Sequence, residues 1–471
     1  MDIGAPAALF PFADCRLMIA SEPRGESTRM DYSPTDDPCP IPDFYASFAP
    51  AAPASNPLDG SHRTSVAIVG AGFTGLSTAL HLAERGIASI VLEAKEIGWG
   101  ASGRNFGQVV PYFKHDQDHV LRHFGPETGE RLIAAAGNAP DLVFNLIERH
   151  AITCAPVRNG LIFAAHSPTA RESLAKRTAF WQRRGAPVEM YDGQEAAGFI
   201  GSNFYAACSI DRRGGTINPL AYVRGLAAAA RKAGGTIATR TPVTSLGRVG
   251  NEWRLTTPRG DVIADTVVLS TNAYTESSLW PGLRQSIIPM RSYQLASRPL
   301  SENVRGSILP RHQPLTDTRL LFSGVRLHPN GRLQASADGP AFHGSGAAFV
   351  TKLNRRLGAI FPQIDALDWE YRWNGWIAMT LDRYPHLHAL APGLWAGLGY
   401  SGRGIGLATV MGREIAGRIA GVAERDLVLP VTPLKPRWIT RAARPLVNSL
   451  LTYYRLQDAI AGIRRRAASS V

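Results

Sequence analysis

Ser65-Val-Ala-Ile-Val-Gly70-Ala-Gly72-Phe-Thr-Gly75-Leu-Ser-Thr-Ala-Leu-His-Leu-Ala-Glu-Arg-Gly86-Ile-Ala-Ser-Ile-Val-Leu-Glu93 reads as a strand, a glycine turn, a helix and a second strand ending on an acid. An apolar strand running into Gly70-x-Gly72-x-x-Gly75 lets the backbone turn tightly and come close to a pyrophosphate. The amides and positive dipole of the following helix N-terminus then hold that phosphate. Glu93 falls about 20 residues past the glycines, where a carboxylate at a strand tip accepts hydrogen bonds from a ribose hydroxyl pair. A Gly-x-Gly-x-x-Gly alone is a weak signal and is often only a structural turn. Here strand, spacing, helix, Gly86 and acid agree, and the stretch predicts a dinucleotide site.

The 471 residues suffice for two domains with substantial cores. Hydrophobic residues make up 45% and charged residues 19%, the balance of an ordinary globular protein. No apolar run approaches the ~20 residues that span a bilayer. Residues 1–30 lack a basic n-region, and Asp14 and Arg16 break their apolar stretch, so they do not read as a secretory signal. Met30 is a second candidate start, a reading that intact mass of the native gene product tests. Cys15, Cys39, Cys154 and Cys208 are scattered with no CxxC pair, which fits a reducing, cytoplasmic setting. Pro385-His386-Leu-His388 is the tightest histidine pair; with no acid or thiol cluster beside it, no metal site is expected.

The formal net charge is +13, and the excess is uneven. Lys435, Arg437, Arg441, Arg444, Arg455, Arg464, Arg465 and Arg466 face a single acid, Asp458, in the C-terminal segment. Leu446, Val447, Leu450, Leu451, Tyr454 and Ile460 recur there at roughly helical spacing. The favoured reading is a terminal helix docked on the body with a solvated basic face. Peripheral contact with an anionic membrane or a partner is the alternative.

The pattern divides into an extended arm (1–60), a discontinuous nucleotide domain (61–114, 205–280 and 375–430), a substrate domain (115–204 and 281–374) and a basic helical tail (431–471). Helices are expected over Gly129 to His150, Pro219 to Ala233 and Gly406 to Gly421. Strands are expected at Leu161–Ala165, Thr241–Val243, Trp253–Leu255, Thr266–Ser270 and Leu394–Leu398, with an antiparallel sheet from Ser286–Ser297, Arg319–Leu327 and Arg332–Ala337. The expected fold class is α/β with an interleaved α+β substrate domain.

The first fingerprint does not separate NAD from FAD. Beyond it, the chain resembles the D-amino-acid-oxidase-like family of FAD oxidoreductases over roughly residues 40–430. Gly70, Gly72, Gly75, Ala79, Leu82, Ala83 and Gly86 match the family signature. Gly98-Trp-Gly-Ala-Ser-Gly-Arg-Asn-Phe-Gly-Gln108 is similar to the segment passing the flavin in the gamma-glutamylputrescine oxidoreductase branch, with Phe106 where that branch has glycine. Ala264–Tyr274 resembles the strand and turn behind the cofactor phosphates, and Val243 the residue whose backbone meets the adenine. Tyr400-Ser-Gly-Arg-Gly-Ile405 resembles the late loop at the pyrimidine end, where relatives often carry His in place of Arg403. Trp373-Asn-Gly375, Thr380, Asp382 and Pro385 fit a further family run.

The resemblance implies FAD against Gly70, Ala71, Gly72, Phe73, Thr74, Gly75, Glu93 and Ala94; non-covalent binding is expected, with a histidyl link left open. It extends to Ala101, Ser102, Gly103, Arg104, Asn105, Gly107 and Gln108, to Val243, Ser270, Thr271 and Asn272, and to Gly402, Arg403, Gly404 and Ile405. No cysteine follows Cys208, which excludes a late thioether link to the flavin. A helix N-terminus beside the flavin edge that gains negative charge stabilises the reduced form, and Gly402, Gly404 and Gly406 let amides approach it. Arg403 adds a positive charge there or serves as an ordinary interdomain arginine.

Hydride transfer from an amine to flavin needs positioning more than side-chain chemistry. Tyr293, Phe342, Trp373 and Tyr400 are the candidate substrate wall, each with core packing as its alternative, and Gln108 is a candidate hydrogen-bonding group. The expected activity is oxidation of an amine or amino-acid C–N bond, with oxygen or another electron acceptor. A gamma-glutamylputrescine-like or other N-substituted amine is the favoured substrate. An NAD(P)-dependent dehydrogenase leaves the late loop and Ala264–Tyr274 without a use. A flavin domain directed to RNA or a membrane by the basic tail stays open, although nucleic acid is not the expected partner.

Overall fold

The computed structural model describes residues 43–319, 324–338, 346–365 and 367–437. Met30, Cys15, Cys39, Phe342 and most of the basic tail lie outside these residues.

Two eight-stranded sheets organise the chain. In the first, Gly60–Val69 is central, parallel to Gly260–Leu269 on one side and to Ser89–Leu92 on the other. Thr236–Ala238 and Leu394–Leu398 extend it in parallel, and His386–Ala391 and Glu252–Thr257 add antiparallel strands. The tail of Gly60–Val69, Val66 to Val69, is buried throughout, as a parallel strand covered on both faces must be. Helix Phe73–Ala83 packs on this sheet and against the late helix Gly404–Ile419. Their approach is close: a Cβ on Gly412 would lie 2.5 Å from Ser77 Cβ.

The second sheet is ordered Trp369–Met379, Ile288–Pro299, Arg332–Asp338, Gly324–Leu327, Leu315–Asp317, Leu161–Ala165, Ala207–Asp211, Val188–Asp192. Its pairs are antiparallel except Leu315–Asp317 with Leu161–Ala165. Helices Pro126–Arg149 and Pro168–Gln182 belong to the same stretch of chain.

Three local expectations need correction. Residues 43–60 are not wholly an extended arm: Asp43–Ala46 forms a helical turn whose Phe44 and Tyr45 are buried. Phe44 stacks on Trp373 with ring centroids 5.5 Å apart, so tertiary aromatic packing orders a segment with no periodicity of its own. Ala207–Asp211, assigned from sequence to the nucleotide domain, pairs in the second sheet with Leu161–Ala165 and Val188–Asp192. Thr241–Val243 is not a strand; the strand that joins the first sheet is Thr236–Ala238.

Candidate active site

At the end of Gly60–Val69 the chain enters the left-handed region at Gly70, φ 106°. A Cβ on Gly75 would lie 2.0 Å from the Gly70 carbonyl oxygen, so the turn into helix Phe73–Ala83 closes only with glycine there. Ser270 Oγ donates to the carbonyls of Val69 and Gly70 at 2.7 and 3.1 Å, pinning the turn from the neighbouring strand. At the tip of Ser89–Leu92 the Glu93 carboxylate accepts from the amides of Ala71 (2.8 Å) and Lys95 (2.9 Å). Burial raises its pKa, and these two amides oppose the rise.

The glycine-rich segment 98–108 is braced from within. Asn105 Oδ1 accepts from the Gly107 amide at 2.9 Å, while its Nδ2 donates to the carbonyls of Ala101 and Ser102. Buried Arg104 donates from Nε to the Trp99 carbonyl at 2.6 Å. Ser102 Oγ accepts from the Phe73 amide at 3.0 Å and so joins this segment to the first glycine turn. The departure at Phe106 is accommodated: its ring faces Gly324, where a Cβ would lie 3.2 Å from it.

The late loop carries Gly399, Ser401 and Gly402 at positive φ before helix Gly404–Ile419 begins. Asn272, itself at φ 47°, accepts the Gly399 amide on Oδ1 at 2.9 Å. The Tyr400 hydroxyl meets Thr74 Oγ1 at 2.5 Å, and burial pushes its pKa far up, so Tyr400 stays neutral.

All three loops border one cleft of about 720 Å³. Every cofactor residue named from the sequence lines it except Gly75 and Gly103, which stand behind the wall and permit close backbone approach. Gln108, Tyr400 and Arg403 also line it. Tyr293 and Trp373 do not. Met290, Ser292 and Gln294 of the strand Ile288–Pro299 face the cleft, so Tyr293 has the opposite parity. Trp373 donates from Nε1 to the Arg104 carbonyl at 2.9 Å and packs on Phe44 and Tyr45, supporting the segment 98–108 from behind. Trp376 lines the cleft instead, as do Phe163 and Arg177, which no sequence motif marked.

The lining suits FAD. A Cβ on Gly402 or Gly404 would meet no protein atom within 4 Å, so the two glycines open onto ligand space. Gln108 Nε2 is buried with no hydrogen-bond partner among the described residues, a donor left for a ligand. Residues 70–75, with Glu93, would hold the adenosine and pyrophosphate, and those at 101–108 and 400–405 the ring system. Elsewhere, His386 pairs with Asp382 at 2.9 Å and His388 meets the Thr432 carbonyl at 2.7 Å. Among the described residues no group of three His, Cys, Asp or Glu is placed to hold a metal, and no helix is long and apolar enough to cross a membrane.

Similarity to known proteins agrees with this geometry. The gamma-glutamylputrescine oxidoreductase of Escherichia coli is 30% identical over 425 residues, covering 88% of this chain and 97% of that protein. A probable oxidoreductase, OrdL, of Haemophilus influenzae is 29% identical over 407 residues, covering 85% and 94%. The crystal structure of glycine oxidase from Geobacillus kaustophilus superposes with a TM-score of 0.63 at 24% identity, over 76% of this chain and 95% of that one. Residues 65–418 match the DAO family model, FAD dependent oxidoreductase, and the chain belongs to that family.

Proposed function

We propose that this enzyme oxidises the C–N bond of an amine or amino acid, with an N-substituted or gamma-glutamylputrescine-like amine as the favoured substrate. The imine product then takes up water to give an aldehyde or keto acid and ammonia or an amine. The observation that carries the reading is the convergence of the loops at 70–75, 101–108 and 400–405 on one cleft whose remaining wall is the second sheet. FAD, when bound, accepts the hydride and passes two electrons to oxygen or another acceptor. The chain's own part is to fix the donor carbon and keep water out. Trp376, Phe163 and Met290 give the wall its apolar surface, and Gln108 offers an unpaired amide N–H to a polar substrate or cofactor atom.

Among the described residues the cleft lining contains no Cys or His, which supports a non-covalent cofactor. Purified protein should show flavin absorbance near ~450 nm, a property of the cofactor itself. Acid precipitation should release the FAD into the supernatant. An amine and amino-acid screen run with oxygen and again with a dye acceptor identifies substrate and acceptor together. Protein that shows no flavin band, and gains none with added FAD, would overturn the function.

A further inference from the structure

Arg326, on the strand Gly324–Leu327, is buried behind the segment 98–108. Its Nη1 donates to the carbonyls of Phe106 and Ile217 at 3.0 and 3.1 Å, and its Nη2 faces His328 Nδ1 at 3.4 Å. Burial lowers its pKa to about 10, so it stays charged, and a guanidinium can only donate. His328 must therefore accept on Nδ1 and carry its proton on Nε2; burial holds its pKa well below the usual value, so the ring is neutral. That tautomer fixes every group beyond it. Gln334 Oε1 accepts from His328 Nε2 at 2.8 Å, which turns Gln334 Nε2 toward the Tyr45 hydroxyl (2.8 Å) and Gln294 Oε1 (3.1 Å). The Tyr45 proton goes to the Asn105 carbonyl at 2.8 Å, so Tyr45 requires the same orientation of Gln334. Gln294 Nε2 then donates to Ser336 Oγ at 2.7 Å and Ser292 Oγ at 3.4 Å. Strand pairing sets the members side by side, Arg326 opposite Gln334 and Ser336 opposite Gln294.

Gln294, Ser292 and Ser336 line the cleft. Both serine oxygens accept from Gln294, and among the described residues neither hydroxyl proton has an acceptor. Gln108 adds a third donor: its Oε1 accepts from Thr316 Oγ1 at 3.4 Å, and its Nε2 has no partner among the described residues. The wall thus offers neutral O–H and N–H donors, while the Arg326 guanidinium stays behind them, occupied by backbone carbonyls. Neutral donors match a neutral acceptor. An alkyl tail would leave them unpaired, and a second ammonium would set donor against donor.

We propose that this wall reads an ether, hydroxyl or carbonyl oxygen on the substrate amine, with Arg326 as the positioning residue that sets the direction of the chain. The inference rests on the amine-oxidising function above and narrows its substrates to amines that carry such an oxygen. Three amines of equal length test it: 5-methoxypentylamine with an acceptor, heptylamine with neither group, and 1,6-hexanediamine with a donor. Anaerobic titration into the FAD-loaded enzyme reads binding as a shift of the flavin absorbance and oxidation as its bleaching. Comparing each ratio between wild type and variant cancels the different hydration of the amines. The preference for the ether over the alkyl amine should be about 5- to 20-fold higher in wild type than in S336A, the span of one neutral hydrogen bond and an orphaned donor. The change should lie mainly in half-saturation and not in the rate of bleaching, and the diamine should improve relative to heptylamine.

R326M frees His328 to protonate Nδ1, so the same ratios should relax; R326K, which keeps a donor-only cation, should restore them. Nitrogen-15 NMR of ring-labelled histidine, with His328 assigned from its absence in H328Q, should show Nε2 protonated and Nδ1 bare in wild type. An Nδ1-protonated His328, or ratios unchanged in S336A, would overturn the proposal. So would an S336A that loses FAD, since the hydroxyl would then serve the cofactor. If R326M does not fold, S336A and the tautomer still decide. Missing flavin, or no amine oxidation across a wide screen, counts against the underlying function instead, and the tautomer alone still reads the chain.

Discussion

At the scale of single residues, the glycine-turn side of the cleft was legible because its constraints are local. Gly70 and Gly75 are dictated by a turn whose atoms lie within a few residues, and Glu93 by the end of the next strand. The wall formed by the second sheet was not. Aromatic identity pointed to Tyr293 and Trp373, whereas strand parity and covering by Phe44 decide who faces the cleft. The alternation Met290, Ser292, Gln294 was visible in the sequence, but its cleft-facing parity only emerges from the sheet pairing. Glu93 yields a prediction at this scale. E93A removes the acceptor for the amides of Ala71 and Lys95 and the carboxylate offered to the ribose, so FAD affinity should fall about 10- to 100-fold. Titration of apoprotein with FAD, followed by quenching of flavin fluorescence, measures it; an unchanged affinity would remove Glu93 from the cofactor site.

At the scale of elements, the expected helices over Gly129 to His150, Pro219 to Ala233 and Gly406 to Gly421 correspond to Pro126–Arg149, Pro219–Lys232 and Gly404–Ile419. Long amphipathic periodicity carries that information by itself. The short helix Asp43–Ala46 was illegible, since its order comes from aromatic neighbours hundreds of residues away. The edge strand His386–Ala391 supports a pH prediction. Burial lowers the pKa of His388 from 6.5 to about 4; its Nδ1 meets the Thr432 carbonyl and its Nε2 is buried without a partner among the described residues. Protonation would therefore bury an unpaired N–H. Between pH 4 and 6.5 the unfolded chain binds the proton and the folded one does not, so this contribution is present above pH 6.5 and lost as pH falls. His388 alone should cost about 2 kcal/mol on going from pH 7.5 to pH 5. Urea unfolding of wild type and H388N at both values tests it: the variant should lose clearly less stability than wild type across the interval.

At the scale of the whole molecule, one cleft takes walls from both sheets, so a single ligand bridges elements that the chain otherwise joins by long connections. The domain boundaries blurred in the sequence for the same reason: Ala207–Asp211 and Trp369–Met379 lie beside segments of the nucleotide unit in the chain yet pair in the second sheet. Polar contacts tie the loops around the cleft to one another. Asn272 holds Gly399, Tyr400 holds Thr74, Ser102 caps Phe73, and the Trp373 indole holds Arg104. FAD lying across these loops should add contacts to every one of them at once, because any species that binds only the folded state stabilises it by mass action, about 2.7 kcal/mol at a hundredfold excess over Kd. Stripping FAD should therefore lower the melting temperature by a few degrees for the molecule as a whole and raise amide exchange at 70–75, 101–108 and 399–406 together. Hydrogen exchange on paired apo and FAD-loaded samples reads both effects. Protection confined to 70–75 would mean that the cofactor touches one loop only, and the shared-cleft assignment would fail at its centre.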